Sequence, residues 1–161
     1  MKNINIKVVS KEELRVLDGI FRLRYNVFVV EKGWALDFGN QMERDDYDEY
    51  AGYIAVVKQN ETTGTDEVIG AARFITLENK AMLDGEFKEM AEEVKLIREG
   101  AIEFTSIAID QKYRHQHLEQ LIYQKLIYWS HVWTPPTPSL LAFNFTSSAY
   151  MKLLYSFHCA K

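Results

Sequence analysis

Two arginines of this chain sit where apolar side chains are expected, and a dense run of carboxylates lies between them in sequence. Leu14, Leu17, Phe21, Arg24 and Phe28 recur at three- and four-residue steps, one face of a helix whose odd member is Arg24. Strand alternation places Arg73 on a face with Ile69, Ala71 and Ile75. Between the two, residues 43–50 read ERDDYDEY, where Glu43, Asp45, Asp46, Asp48 and Glu49 face only Arg44. A guanidinium with no route to solvent needs carboxylates beside it, so Asp45 and Asp48 are expected partners of Arg24 and Arg73. Taken singly, each feature has a plainer meaning: a snorkelling arginine and a solvated acidic loop. Trp34, Phe38, Tyr47 and Tyr50 argue against the plain loop, which has little use for large rings.

A third chemical group is Glu103, on the strand AIEFTSIAID, where alternation puts it on a face with Thr105, Ile107 and Ile109 and turns Phe104, Ser106 and Ala108 the other way. Desolvation raises the pKa of a carboxylate on such a face, which suits a general base near neutral pH. Pairing with a nearby arginine is the structural alternative. No metal is expected. Asp46, Asp48 and Tyr50 lack the glycine and closing glutamate of a calcium loop. His115 and His117 are two apart without a third ligand, and are expected at the surface. Ser106 has no nucleophile-elbow setting, and Cys159 stands near the end of the sequence. Tyr123, Trp129 and Trp133 are spaced as core or subunit interface rather than as a base-stacking platform.

The elements that must position these groups follow from patterning. INIKVV reads as a strand, and Ser10 with Glu13 as a capping box opening the first helix. AGYIAVVK and VIGAARFI form an antiparallel hairpin across NETTGTDE. Residues 84–99 read as a helix, Tyr113 to Trp133 as a longer one ended by TPPTP, SLLAFN as a short strand, and TSSAYMKLLYSF as a final helix. The strand–helix–strand crossover from Glu103 to Asn144 requires parallel neighbours, so the expected fold class is α/β: a mixed central sheet with helices on both faces.

With 161 residues, 47% of them hydrophobic, the chain has enough for one core and reads as a single domain over residues 1–161. A formal net charge of −4 argues against nucleic acid as a partner, and the octet alone carries that excess. Such a local surplus points to a cationic partner, internal or external. A single cysteine, and an N-terminus MKNINIKVVS without an apolar segment, point to the cytoplasm. No apolar run approaches the length of a membrane span.

At these residues the sequence resembles the acyl-homoserine-lactone synthases, the autoinducer synthases of quorum sensing, built on the GNAT acyltransferase fold. The pattern R-x-x-x-F falls at Arg24 and Phe28, E-x-G-W at Glu31 to Trp34, and E-x-D-x-x-D at Glu43, Asp45 and Asp48. G-x-x-R follows at Gly70 to Arg73, then Met82, Leu83 and Phe87, and the strand glutamate at Glu103. The resemblance covers residues 20–110 well and the remainder by fold order. It implies a GNAT-like three-layer sandwich and an N-acyltransferase moving a fatty acyl group from acyl carrier protein to the amine of S-adenosylmethionine. The acyl-phosphopantetheine thioester and S-adenosylmethionine would be substrates, with no tightly bound cofactor. Arg24, Asp45, Asp48, Arg73 and Glu103 would form the catalytic set, with Glu103 the base, and Phe28, Trp34, Phe87, Thr105 and Ser106 would line the substrate.

The sequence departs from the family pattern at three places. Ser106 stands where the family carries arginine in E-x-S-R, which leaves an N-acyl amino acid synthase of the same fold open as the alternative. YRHQHLEQ offers Arg114 but none of the glycines of the R-x-x-G-x-G loop that cradles a pyrophosphate, so a carrier-protein donor is expected over free CoA and a CoA-dependent acetyltransferase is disfavoured. Lys152 stands where a catalytic tyrosine often sits, and the sequence ends four residues after Phe157, short of the family's further strands. A binding module that kept the fold and lost the donor site is the remaining reading.

Overall fold

The computed structural model describes residues 3–59, 64–76, 102–133 and 141–143. The expected helix at 84–99, the final helix and Lys152 lie outside them. Strand β1 (Ile4–Val9) leads to helix α1 (Leu14–Arg24), which continues without a break into π-helical turns over Tyr25–Glu31. A short 3-10 helix (Asp46–Glu49) precedes the hairpin of β2 (Gly52–Gln59) and β3 (Asp66–Thr76). Then come β4 (Ile102–Ile109), a 3-10 helix (Gln111–Gln116), α2 (Leu118–Trp133) and β5 (Leu141–Phe143).

These strands form one sheet in the order β1-β2-β3-β4-β5, antiparallel throughout except for the parallel pair β4 and β5. The parallel pair is the one joined through α2, as the crossover requires. Helix α1 covers one face, packing Val16, Ile20 and Leu23 against Ala55, Val57 and Ala71. Helix α2 covers the other, packing Leu118, Ile122 and Leu126 against Ile54, Val56 and Phe104. The central strands are therefore buried on both sides, which is why GYIAVVKQ is apolar almost without interruption. The expected three-layer α/β arrangement holds.

Two cross-strand rows fix the geometry. Ala55, Ala71 and Ala108 face one another across β2, β3 and β4 and give α1 a shallow bed. Gly52 lies opposite Phe74, where a Cβ would run into the aromatic ring, itself packed on Trp129 at a centroid distance of 4.4 Å. Gly52→Ala is expected to cost about 1–3 kcal/mol of stability by overpacking, measurable as a lower midpoint in urea unfolding.

Several expectations are corrected here. Val56 pairs with Gly70 and Val57 with Val68, so Ile69 is an extra residue in the β2/β3 ladder and packs on the α2 side, away from Ala71 and Ile75. A second irregularity lies between Ala71↔Ala108 and Arg73↔Thr105, with Ser106 at φ 52°. Beyond it the alternation of β4 flips: Ala108 joins the α1 side, and Ile107 and Ile109 pack on the α2 side. They therefore do not share the face of Glu103 and Thr105. Leu14 is 71% exposed and stands off the helix stripe. The capping box is half formed, since Glu13 accepts from Ser10 N at 3.0 Å while the Ser10 hydroxyl bonds Glu12. The long helix starts later than Tyr113, at Leu118, after a 3-10 turn and His117 in left-handed conformation (φ 55°). His115 and His117 are exposed, as expected.

Candidate active site

The acidic octet owes its local shape to its own carboxylates. Asp45 accepts from Tyr47 N at 2.9 Å and Asp48 accepts from Asp45 N at 2.8 Å, a reciprocal cap that nucleates the short 3-10 helix. This turn sends alternate acids in opposite directions. Side chains of Glu43 and Asp48 are 14% and 1% exposed, and Asp45 lies at the rim with 35%. Asp46 and Glu49 are exposed, and Arg44, also exposed, lies over the Phe21 ring at 4.6 Å.

Both expected arginines meet these acids. Arg24 is carried inward by α1 and Arg73 by β3, each 1% exposed. Arg24 Nη1 donates to Asp48 Oδ1 at 2.7 Å, and its Nε to Glu43 Oε2 at 2.5 Å. Arg73 Nη1 donates to Asp45 Oδ1 at 2.6 Å and to Asp48 Oδ1 at 2.9 Å, and its Nε to Thr105 Oγ1 at 3.1 Å. The Tyr53 hydroxyl completes the shell of Asp48 at 2.6 Å. Asp48 is thus the hub, one oxygen shared by two guanidiniums and a phenol. Among the described residues, Arg24 Nη2 is the buried side-chain atom without a hydrogen-bond partner, 3.9 Å from Asp45 Oδ2.

Charge states follow from this packing. Burial pushes the Asp48 carboxyl up, but the Arg24 and Arg73 charges outweigh it and hold the group below the usual carboxylate range. Burial works against charged Arg24 too, and Asp48 with Glu43 keeps it protonated beyond the ordinary value. Arg73 is opposed by burial and by Arg24, and Asp45 with Asp48 reverses both. The Tyr53 hydroxyl is pushed up by burial and by the adjacent Asp48 charge, so it stays a donor. Three carboxylates, Glu43, Asp45 and Asp48, meet two guanidiniums, and the cluster of described groups carries one formal negative charge.

Glu103 lies in the same layer. It is 1% exposed, pairs with Ile75 across the ladder, and stands two residues from Thr105, whose hydroxyl holds Arg73. The Ser106 irregularity follows directly, leaving backbone groups of β4 out of the regular ladder. Phe28 and Trp34 stack at 6.3 Å on the π-helical side, with Trp34 50% exposed. Phe38 is 73% exposed and takes no part, whereas Arg73 lies over the Tyr47 ring at 5.7 Å. Phe87 lies outside the described residues. A cavity of about 780 Å³ opens beside the network, with Phe21, Met42, Arg44, Asp48 and Tyr53 among its lining residues. Tyr123 and Trp129 are core, against Phe104 at 5.6 Å and Phe74 at 4.4 Å.

Sequence reasoning missed Tyr53 and the direct contact of Glu43 with Arg24. The signal for Tyr53 was its place opposite Arg73 in the hairpin, in a transverse row Tyr53, Arg73, Thr105. Among the described residues, no helix is long and apolar enough to cross a membrane.

Comparison with known proteins places the chain in a family. Residues 8–128 match the family model for autoinducer synthases. An acyl-homoserine-lactone synthase from Rhizobium etli is 34% identical over 88 residues, which is 55% of this chain and 40% of that protein. One from Dickeya chrysanthemi is 31% identical over 96 residues, 59% of this chain and 42% of that protein. This chain thus spans about two fifths of the length of the curated relatives it matches. The solved structure of BjaI, a CoA-dependent acyl-homoserine lactone synthase with SAM and isopentyl-CoA, shares the fold at a TM-score of 0.64 and 22% identity, over 79% of this chain and 61% of that one. With the family model matched over most of its length and the arginine–carboxylate cluster assembled on the motif residues, this chain belongs to the autoinducer synthase family.

Proposed function

We propose that this chain transfers a fatty acyl group from a phosphopantetheine thioester to the α-amine of S-adenosylmethionine and releases an acyl-homoserine lactone. The observation that carries this reading is the meeting of three carboxylates with two guanidiniums around Asp48 among the described residues. A sulfonium substrate bearing a second positive charge on its ammonium is attracted to such a site.

The ammonium must lose a proton before it attacks, and Glu103 takes that proton directly or through a water. The amine then forms the amide bond to the acyl carbon and the thiolate of the donor leaves. Backbone amides freed at the Ser106 irregularity stabilise the oxyanion between these steps. The carboxylate next attacks the γ-carbon next to the sulfonium, closing the lactone and expelling methylthioadenosine.

For the donor, acyl carrier protein is preferred to CoA. The turn after β4 is a 3-10 helix over Gln111–Gln116 followed by His117, and its Cβ-bearing residues give a pyrophosphate poor access to the backbone. BjaI, which shares the fold, is CoA-dependent, so both donors belong in the test. A second reading rests on Ser106, which puts no cation where the family pattern has arginine: an N-acyl amino acid synthase without the lactone step.

The test is to incubate the full chain with octanoyl acyl carrier protein or octanoyl-CoA, offer S-adenosylmethionine or free amino acids, and identify products by mass spectrometry. Acyl-homoserine lactone and methylthioadenosine in equal amounts are expected from the carrier-protein arm. An acyl amino acid without methylthioadenosine establishes the second reading, and silence with every donor removes both.

A further inference from the structure

Arg114 and Glu31 are 83 residues apart in sequence and meet in a bidentate pair. Arg114 Nη1 donates to Glu31 Oε1 at 2.7 Å, and Nη2 donates to Oε2. Arg114 Nε donates to the carbonyl of Ile109 at 3.2 Å, so the guanidinium is also fixed to the end of β4. Glu31 is the last residue of the π-helical segment. Immediately beyond it the chain turns at Gly33 (φ 63°), and Trp34 N donates to Phe28 O at 2.7 Å, which lays the indole on the Phe28 ring.

The two halves of this wall are held differently. Val27 is buried and Phe28 packs against the core on the α1 side, whereas Trp34 is 50% exposed, Val30 65% and Leu36 76%, so apolar packing contributes little to the position of the Trp34 half. That half is fixed by directional contacts: Lys32 N to Val27 O at 3.1 Å, Gly33 N to Val29 O at 3.2 Å, the Arg114 fork on Glu31, and Lys32 Nζ to Glu31 Oε1 at 3.1 Å. A bidentate fork constrains orientation as well as distance. Arg114 belongs to the turn after β4, where the donor's phosphates would approach, and Glu31 to the segment carrying Phe28 and Trp34, which are read as lining the substrate and which this proposal takes as the acceptor side.

We propose that Arg114 is a positioning residue: by gripping Glu31 it clamps the Phe28–Trp34 wall to the turn after β4 and fixes the spacing between the acceptor and donor sides of the cleft. This rests on the reading of Phe28 and Trp34 as acceptor wall. Partly exposed ion pairs contribute little to global stability, so the effect belongs in local order and substrate positioning.

The test uses the full chain with Arg114→Gln, Glu31→Gln and the exchange Glu31→Arg with Arg114→Glu. Two readouts are needed: amide hydrogen exchange at residues 32–34, and KM for S-adenosylmethionine with octanoyl acyl carrier protein. Each single variant is expected to speed exchange at these amides about tenfold, with β3 amides unchanged as the folding control. KM should rise about tenfold with kcat held within about twofold, and the exchanged pair, which re-forms the fork without the donor to the Ile109 carbonyl, should recover part of both readouts. Unchanged exchange at 32–34 in both single variants overturns the clamp, and altered exchange with unchanged KM overturns its role in positioning. Altered exchange in a protein whose wild type turns over neither acceptor supports the clamp and removes the acyltransferase reading instead.

Discussion

Replacing Glu103 by glutamine is expected to lower kcat/KM by about 10²–10⁴ while leaving the folded protein intact. The substitution keeps the shape of a buried side chain and one acceptor oxygen while removing its basicity and its charge. An acceptor ammonium with no base to deprotonate it has no lone pair with which to attack a thioester. Steady-state rates at pH values spanning 6 to about 9, where a larger fraction of free amine forms in solution, separate this from a packing defect. Loss through a missing base is partly recovered at high pH, whereas loss through misfolding is not. Full activity in Glu103→Gln would exclude it as the base.

Asp48→Ala is expected to be the most destabilising single change in the cluster, at about 3–5 kcal/mol. It takes one carboxylate contact from each of two buried guanidiniums, leaving Arg24 with Glu43 and Arg73 with Asp45 and Thr105, and leaves the Tyr53 hydroxyl without its acceptor. It also removes the acceptor of Asp45 N, and with it half the cap of the 3-10 helix. Chemical denaturation against the wild type measures the loss. The same group sets an acid limit. Its folded-state pKa is depressed, so its contribution is fully present above the unfolded value and is lost as pH falls through the folded one. Wild-type stability should therefore decline below about pH 4, and the decline should be shallower in Asp48→Ala.

The cluster was legible in the sequence because it broke local rules. An arginine on a helix stripe, another on a strand face and a surplus of acids each violate binary patterning, and together they have one physical resolution. Layering was legible for the same reason it is stable: β2 and β3 are apolar on both faces because helices cover both. The faces of Ile69, Ile107 and Ile109 were not, because alternation assumes a uniform ladder, whereas Ile69 is the extra residue of one irregularity and Ile107 and Ile109 lie beyond another that shifts the period by one residue. Phe28 was placed by extending a 3.6-residue stripe into Tyr25–Glu31, where the turns are π-helical. Leu14 misled because it sits in the first turn, above the bed of the sheet. Tyr53 was readable only through the hairpin register that sets it opposite Arg73, and the Glu31–Arg114 pair depends on tertiary neighbours that no local pattern encodes.

The most direct single measurement is a crystal structure of the chain soaked with S-adenosylmethionine. The expected result places the ligand's α-nitrogen within hydrogen-bond reach of Glu103 or of a water it holds, with Arg24, Asp45, Asp48 and Arg73 forming the adjoining wall. A well-ordered ligand bound elsewhere, with Glu103 turned away from it and those four side chains undisturbed, is the contradicting result.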